Sequence, residues 1–168
     1  MKRTDTVAPW YALHVRPRLE KIVARALEAR GYEQYLPISS KGLPIFPGFV
    51  FCRFSLLEAL SILTVPGVLS IAGVGVGPMP VERHQIESIR RILNAGARAE
   101  LWRFPEVGQL STIEGGPIAG VRGILLKSVH RMVVPIPALQ RSLAVEMDRD
   151  GVKLQRLSEN YHVFETHS

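Results

Sequence analysis

The chain has 168 residues, 46% of them hydrophobic, which suffices for one medium or two small folded domains and excludes a disordered chain. No apolar run approaches the roughly 20 residues of a membrane-spanning helix, and Met1 to Pro9 lacks the apolar stretch of a signal peptide, so a soluble, cytoplasmic protein with no membrane partner is expected. The net charge of +6 lies wholly in the first part: Met1 to Phe104 has 14 Lys/Arg against 8 Asp/Glu, while Pro105 to Ser168 has 7 of each, which directs any polyanion contact to the first part.

Trp10 to Val15 (WYALHV) reads as a buried strand. From Leu19 the apolar residues Leu19, Ile22, Val23, Ala26 and Leu27 recur at helical spacing, with Gly31 as a C-terminal stop. A second strand, Tyr32 to Leu36, is closed by Pro37, and after the turn-like Ile38 to Pro44 a third lies within Ile45 to Phe54. The single cysteine, Cys52, falls in this third strand; with no second thiol for a disulfide, it is expected in the core of a protein from a reducing compartment.

Ser55 and Glu58 have capping-box spacing and start a short helix through Leu63, ended by Pro66 and Gly67. Val68 to Ala72 reads as a fourth strand. After the Gly- and Pro-rich Gly73 to Pro80, a last helix carries Ile86, Ile89 and Leu93 on one face and stops at Asn94 to Gly96. Strand, helix, strand, strand, helix, strand is the order of a split βαβ fold, an α+β domain whose four-stranded antiparallel sheet has helices on one face.

Alternation sets Phe49 and Phe51 on one side of the third strand and Val50, Cys52 and Phe54 on the other; Trp10 and Ala12 likewise oppose Tyr11, Leu13 and Val15. Both faces are apolar, yet the helices cover only one. The aromatics of the other face must meet another part of the chain or a partner.

Beyond the last helix the sequence loses helical period. Gly108 to Lys127, Arg131 to Pro137 and Leu139 to Asp148 look like successive strands of a small barrel. The domains are therefore 1–97, a linker 98–106, a second domain 107–150 and an unassigned tail 151–168.

Trp10 to Leu27 (WYALHVRPRLEKIVARAL), followed by IFPGFVF (Ile45 to Phe51), TVPGV (Thr64 to Val68) and the late helix, resembles the N-terminal domain of NusG-type transcription elongation factors. The second domain resembles the SH3-like KOW barrel that follows it, with Gly116, Gly120 and Gly123 at matching points of the KOW turn. Ile38 to Pro44 and LQRSLAVE (Leu139 to Glu146) look more like specialised RfaH-like or polysaccharide-operon antiterminators than the housekeeping factor.

The resemblance implies a monomer that modulates pausing and termination by processive antitermination. Its aromatic depression would dock on the β′ clamp helices of RNA polymerase, with Phe46, Phe49, Tyr11 and Phe51 as candidates. Arg16, Arg18, Lys21 and Arg25 would face the non-template DNA strand, and the KOW domain a small-subunit ribosomal protein or Rho. A further contact with the polymerase β subunit uses a polar, threonine-rich segment in RfaH; Glu58, Ala59 and Leu60 at that place here depart from it.

No enzyme, metal or cofactor is expected. His14, His84, His130, His162 and His167 are scattered without zinc-site spacing, and no phosphate loop or nucleophile elbow is visible. The alternative reading is a single-stranded RNA-binding module of RRM-like architecture, which shares the element order.

Overall fold

The computed structural model describes residues 8–75, 77–102, 107–126, 131–147, 154–156 and 161–162. The chain divides into two compact units, Met1–Arg83 and His84–Ser168.

In the first unit, strands β1 (Trp10–Val15), β2 (Glu33–Tyr35), β3 (Phe49–Arg53) and β4 (Val68–Ile71) form an antiparallel sheet in the order β2-β3-β1-β4. Each crossover skips a place: helix α1 (Glu20–Ala29) links β1 to β2 with β3 between them, and helix α2 (Ala59–Leu63) links β3 to β4 with β1 between them. This is the split βαβ arrangement read from the sequence.

Alternation along the strands fixes which residues meet the helices. Tyr11, Leu13 and Val15 of β1, Val50 and Cys52 of β3, and Phe54 form one core with Val23, Ala24 and Leu27 of α1 and Ile62 of α2. Helix α1 ends as its sequence predicts: Gly31 takes φ +86°, its N–H donates to the carbonyl of Glu28, and the Tyr32 N–H donates to Leu27. The Ser55 cap is realised as a 3₁₀ turn, Leu56–Glu58, with Ser55 Oγ accepting from the Leu57 N–H at 3.3 Å before α2 begins. A short hairpin, β5 (Gly73–Val74) with β6 (Gly77–Pro78), follows β4.

The second unit begins inside helix α3 (Arg83–Asn94), which the sequence reading had placed in a first domain ending at residue 97. Gln85 Nε2 donates to the Pro135 carbonyl (2.9 Å), Ser88 Oγ accepts from the Arg122 N–H (3.1 Å), and Arg91 donates to the Ala119 carbonyl (2.7 Å). These three side chains, three residues apart, lie on one stripe of the helix and tie it to the sheet that follows.

That sheet is antiparallel: β8 (Val107–Ile113), β9 (Arg122–Leu126), β10 (Arg131–Ile136) and β11 (Arg141–Glu146) pair in succession. The expected linker is corrected in part, because Ala99–Trp102 is a strand, β7, paired with β11; residues 103–106 lie outside the described residues. Arg131 holds this edge, with Nη1 on Glu100 (2.6 Å), Nη2 on Glu146 (3.5 Å) and its guanidinium 5.3 Å from the Trp102 ring centre. Two tail segments that the sequence left unassigned, β12 (Leu154–Arg156) and β13 (Tyr161–His162), pair with β8. The rest of that tail lies outside the described residues.

Candidate partner and nucleic-acid interface

Three turns of one type surround the start of α1. Phe46–Phe49 and Val65–Val68 each carry Pro-Gly at the centre, close with an N–H to carbonyl bond of 3.1 Å, and hold Gly48 at φ +82° and Gly67 at φ +96°. Their glycine carbonyls then accept from the end of β1: Gly48 from the Val15 N–H (2.8 Å) and Gly67 from the Arg16 N–H (2.9 Å). The third turn, Arg16–Leu19, closes on itself at 3.1 Å and carries Pro17-Arg18 at its centre, with Arg18 at φ +70°.

Glu20 locks this junction. It is buried in the first turn of α1, where a carboxylate suits the helix dipole, and its Oε1 accepts from the Gly48 N–H at 2.9 Å. The sequence reading passed over Glu20; a lone acidic residue at a helix start carries no signal that its side chain will reach a turn 28 residues away.

Around the junction, Arg16, Arg18, Lys21 and Arg25 are all exposed, and among the described residues their side chains show no ion pair or hydrogen bond. Elsewhere cations are engaged: Arg53 with Glu33 (3.3 Å), Arg131 with Glu100 and Glu146, and Arg30 with the Ser61 carbonyl (3.1 Å). Of the four basic residues singled out in the sequence, Arg16 and Arg18 belong to the junction turn, and Lys21 and Arg25 follow four residues apart on α1.

The expected aromatic site is brought together only in part. Tyr11 is a correction: β1 directs it to the helix-covered face, where it is buried with its ring 4.9 Å from Phe54, and burial pushes its phenol above the usual tyrosine range. Phe46 and Phe51 lie outside that core but are buried as well, meeting edge-on at 5.9 Å, with Tyr35 stacked on Phe51 at 6.3 Å. Both are packed rings in this conformation and are not free anchors, a second correction.

Phe49 differs. It is half-buried, stands opposite exposed His14 in the β1–β3 register, and stacks on that imidazole at 5.3 Å. His14 went unrecognised as a partner of Phe49, though strand alternation alone puts residues 14, 12 and 10 on one face.

In the second unit, Gly116 (φ +86°) and Gly120 (φ +87°) sit in a turn closed by the Gly120 N–H on the Ile113 carbonyl (2.7 Å). Gly123 lies within β9, and a Cβ there would strike the Val133 carbonyl of β10. Among the described residues no group of three His, Cys, Asp or Glu is arranged to hold a metal, and no helix is long and apolar enough to cross a membrane.

Residues 8–90 match the family described as Transcription termination factor nusG. Among solved structures, the chain is similar to one described as "Domain interaction in Thermotoga maritima NusG", with 20% identity over 84% of this chain and 94% of that one, at a TM-score of 0.49. It is also similar to two conformations of an MjSpt4:Spt5 complex, each at 17% identity: conformation B covers 89% and 99% of the respective chains at a TM-score of 0.34, and conformation A covers 88% and 98% at 0.33. No curated protein matches it. The stretch that carries β1 to β4, the three turns and the cationic junction is therefore a NusG-family domain.

Proposed function

We propose that this chain is a transcription elongation factor that binds RNA polymerase through the Phe49 end of the sheet face opposite α1 and α2 and alters pausing and termination there, as a processive antiterminator. It acts by binding and does no chemistry of its own. The observation that carries the reading is the half-buried Phe49 ring beside exposed His14, inside a domain that matches the NusG family. Aromatic residues, Phe among them, are enriched in protein interfaces relative to the rest of the surface.

The docking surface on the polymerase is the β′ clamp helices. With the domain seated there, the exposed cations Arg16, Arg18, Lys21 and Arg25 face the phosphates of the non-template DNA strand, and association weakens with salt as counterions return. The sheet from Val107 onward is a KOW-type barrel that docks a second protein, a small-subunit ribosomal protein or Rho; the stretch from Pro105 to Ser168 that contains it has a net charge of zero, which suits a protein partner better than a polyanion.

The test is copurification of the full chain with core RNA polymerase, wild type against Phe49→Ala. Retention of the wild type and loss of the variant at unchanged fold supports the reading; equal retention of both removes Phe49 from the interface.

A second reading has one observation in its favour. The β2-β3-β1-β4 order with a stacked His14–Phe49 pair on the central strands also describes a platform on which RNA bases stack. Tight binding of a short single-stranded RNA by the purified protein in the absence of polymerase would select it.

A further inference from the structure

The buried carboxylate of Glu20 serves a single backbone donor. Arg16, Arg18 and Lys21 are its near neighbours in sequence, yet it forms no ion pair among the described residues, and its one hydrogen bond there runs to the Gly48 N–H at 2.9 Å. A carboxylate taken out of water needs such a bond, so its partner tells what it is buried for.

The turn it meets is one of two with the same Pro-Gly closure, and in both the glycine carbonyl accepts from the end of β1. Only at Gly48 is the glycine N–H also held by a side chain. Gly67 is half-buried, and its N–H has no side-chain acceptor among the described residues, so a turn of this kind closes without a carboxylate. The Gly48 turn is set apart by the residue that follows it. Phe49 opens β3 opposite His14 and stacks on it at 5.3 Å. Gly48 lies against the same histidine, since a Cβ there would stand 3.9 Å from His14 Cδ2.

The donor that Glu20 holds belongs to the central peptide of the turn, between Pro47 and Gly48. With φ +82° at Gly48 the turn is of type II. Turning that one peptide over gives type I, in which the third residue has φ of about −90°. Glycine accepts either sign of φ, so the residue itself does not choose. Glu20 fixes the peptide before Gly48, and the Val15 N–H, at 2.8 Å, fixes the one after it.

We propose that Glu20 is a positioning residue for polymerase docking: by holding the Pro47-Gly48 peptide in the type II form it sets where the Phe49 ring stands over His14 before the partner arrives. A ring already in place loses less freedom on binding. The inference rests on docking through Phe49 and adds the group that orients it.

Two substitutions separate the bond from the charge. Glu20→Asp keeps the charge at the start of α1 but draws it back from Gly48 by one carbon, whereas Glu20→Gln removes the charge and keeps an acceptor oxygen at the same reach. Gly48→Ala disfavours positive φ by a separate route and has room for its Cβ, so it carries the test should Glu20→Asp not fold. Full chains with these changes, with Phe49→Ala and with Glu20→Asp and Phe49→Ala together are compared in two measurements. One is the proton shifts of the His14 ring in the free protein at a single pH, which report the ring stacked on it. The other is affinity for core RNA polymerase without nucleic acid, which keeps the nearby cations out of the result.

Glu20→Asp and Gly48→Ala should move the His14 shifts toward those of Phe49→Ala and weaken binding on the order of tenfold, short of the loss in Phe49→Ala. Glu20→Gln should keep both near wild type. The double variant should bind no more weakly than Phe49→Ala alone, because the two residues act through one contact. Wild-type affinity in Glu20→Asp and Gly48→Ala, beside a loss in Phe49→Ala, overturns the proposal alone. Losses that add in the double variant also overturn it, since Glu20 would then act apart from Phe49. Phe49→Ala binding as tightly as wild type overturns the docking reading, and the proposal with it.

Discussion

Cys52 lies on β3 among Val50, Phe54 and the apolar face of α1, and burial pushes its thiol up to about 12. A thiol whose folded value stands above its unfolded one, near 8.5, stabilises the fold fully below the unfolded value. That contribution is lost as pH rises through the folded value. Tyr11 is displaced in the same direction by burial, so both groups act alike. The expected outcome is a midpoint of urea unfolding that falls steadily above about pH 9, together with a Cys52 that resists thiol reagents at neutral pH until the chain unfolds. Fast labelling of the native protein would show that the strand opens locally. The neighbouring aromatics separate in the same way: Phe51→Ala removes a fully buried ring and should cost about 3–5 kcal/mol in urea unfolding, whereas Phe49→Ala, on a half-buried ring, should leave the fold intact and act on polymerase binding.

Between residues and the whole lie the turns that hold the end of β1. Gly67→Ala meets both a φ of +96° and a close approach to Val23, so it should destabilise by more than about 1 kcal/mol. Gly31→Ala, with open space beyond its Cβ, meets only the backbone term. Chemical denaturation of the two variants checks the order, and equal losses would remove the packing contribution at Gly67. This layer was partly legible in the sequence. Helical period, the Pro-Gly pairs and strand alternation placed β1 to β4, α1 and the two faces, because each rests on local spacing. The Glu20 to Gly48 bond, the His14–Phe49 stack and the left-handed Arg18 were not legible, because each depends on how segments distant in sequence are set against one another. Tyr11 was misassigned as an anchor although alternation already set it on the helix side with Leu13 and Val15.

Across the whole molecule, the sequence reading ended the first domain after the late helix, at residue 97, since apolar period ties Ile86, Ile89 and Leu93 to a helix and says nothing of which sheet the helix serves. The stripe that ties α3 to the later sheet is polar: Gln85, Ser88 and Arg91 bond to the backbone at Pro135, Arg122 and Ala119. The strand β7 was missed for a related reason, since Ala99–Trp102 is too short to show a period and gains its place by pairing with β11. Gln85→Ala in the full chain tests the assignment. It leaves the buried Pro135 carbonyl without the amide donor, at an expected cost of about 1–3 kcal/mol, and amide exchange should quicken in α3 and at the β10 residues beside Pro135 while β1 to β4 keep their protection. If the first sheet loosens instead and β10 does not, α3 is held energetically by the first unit, and the boundary at residue 97 describes the folding unit better than the one at Arg83.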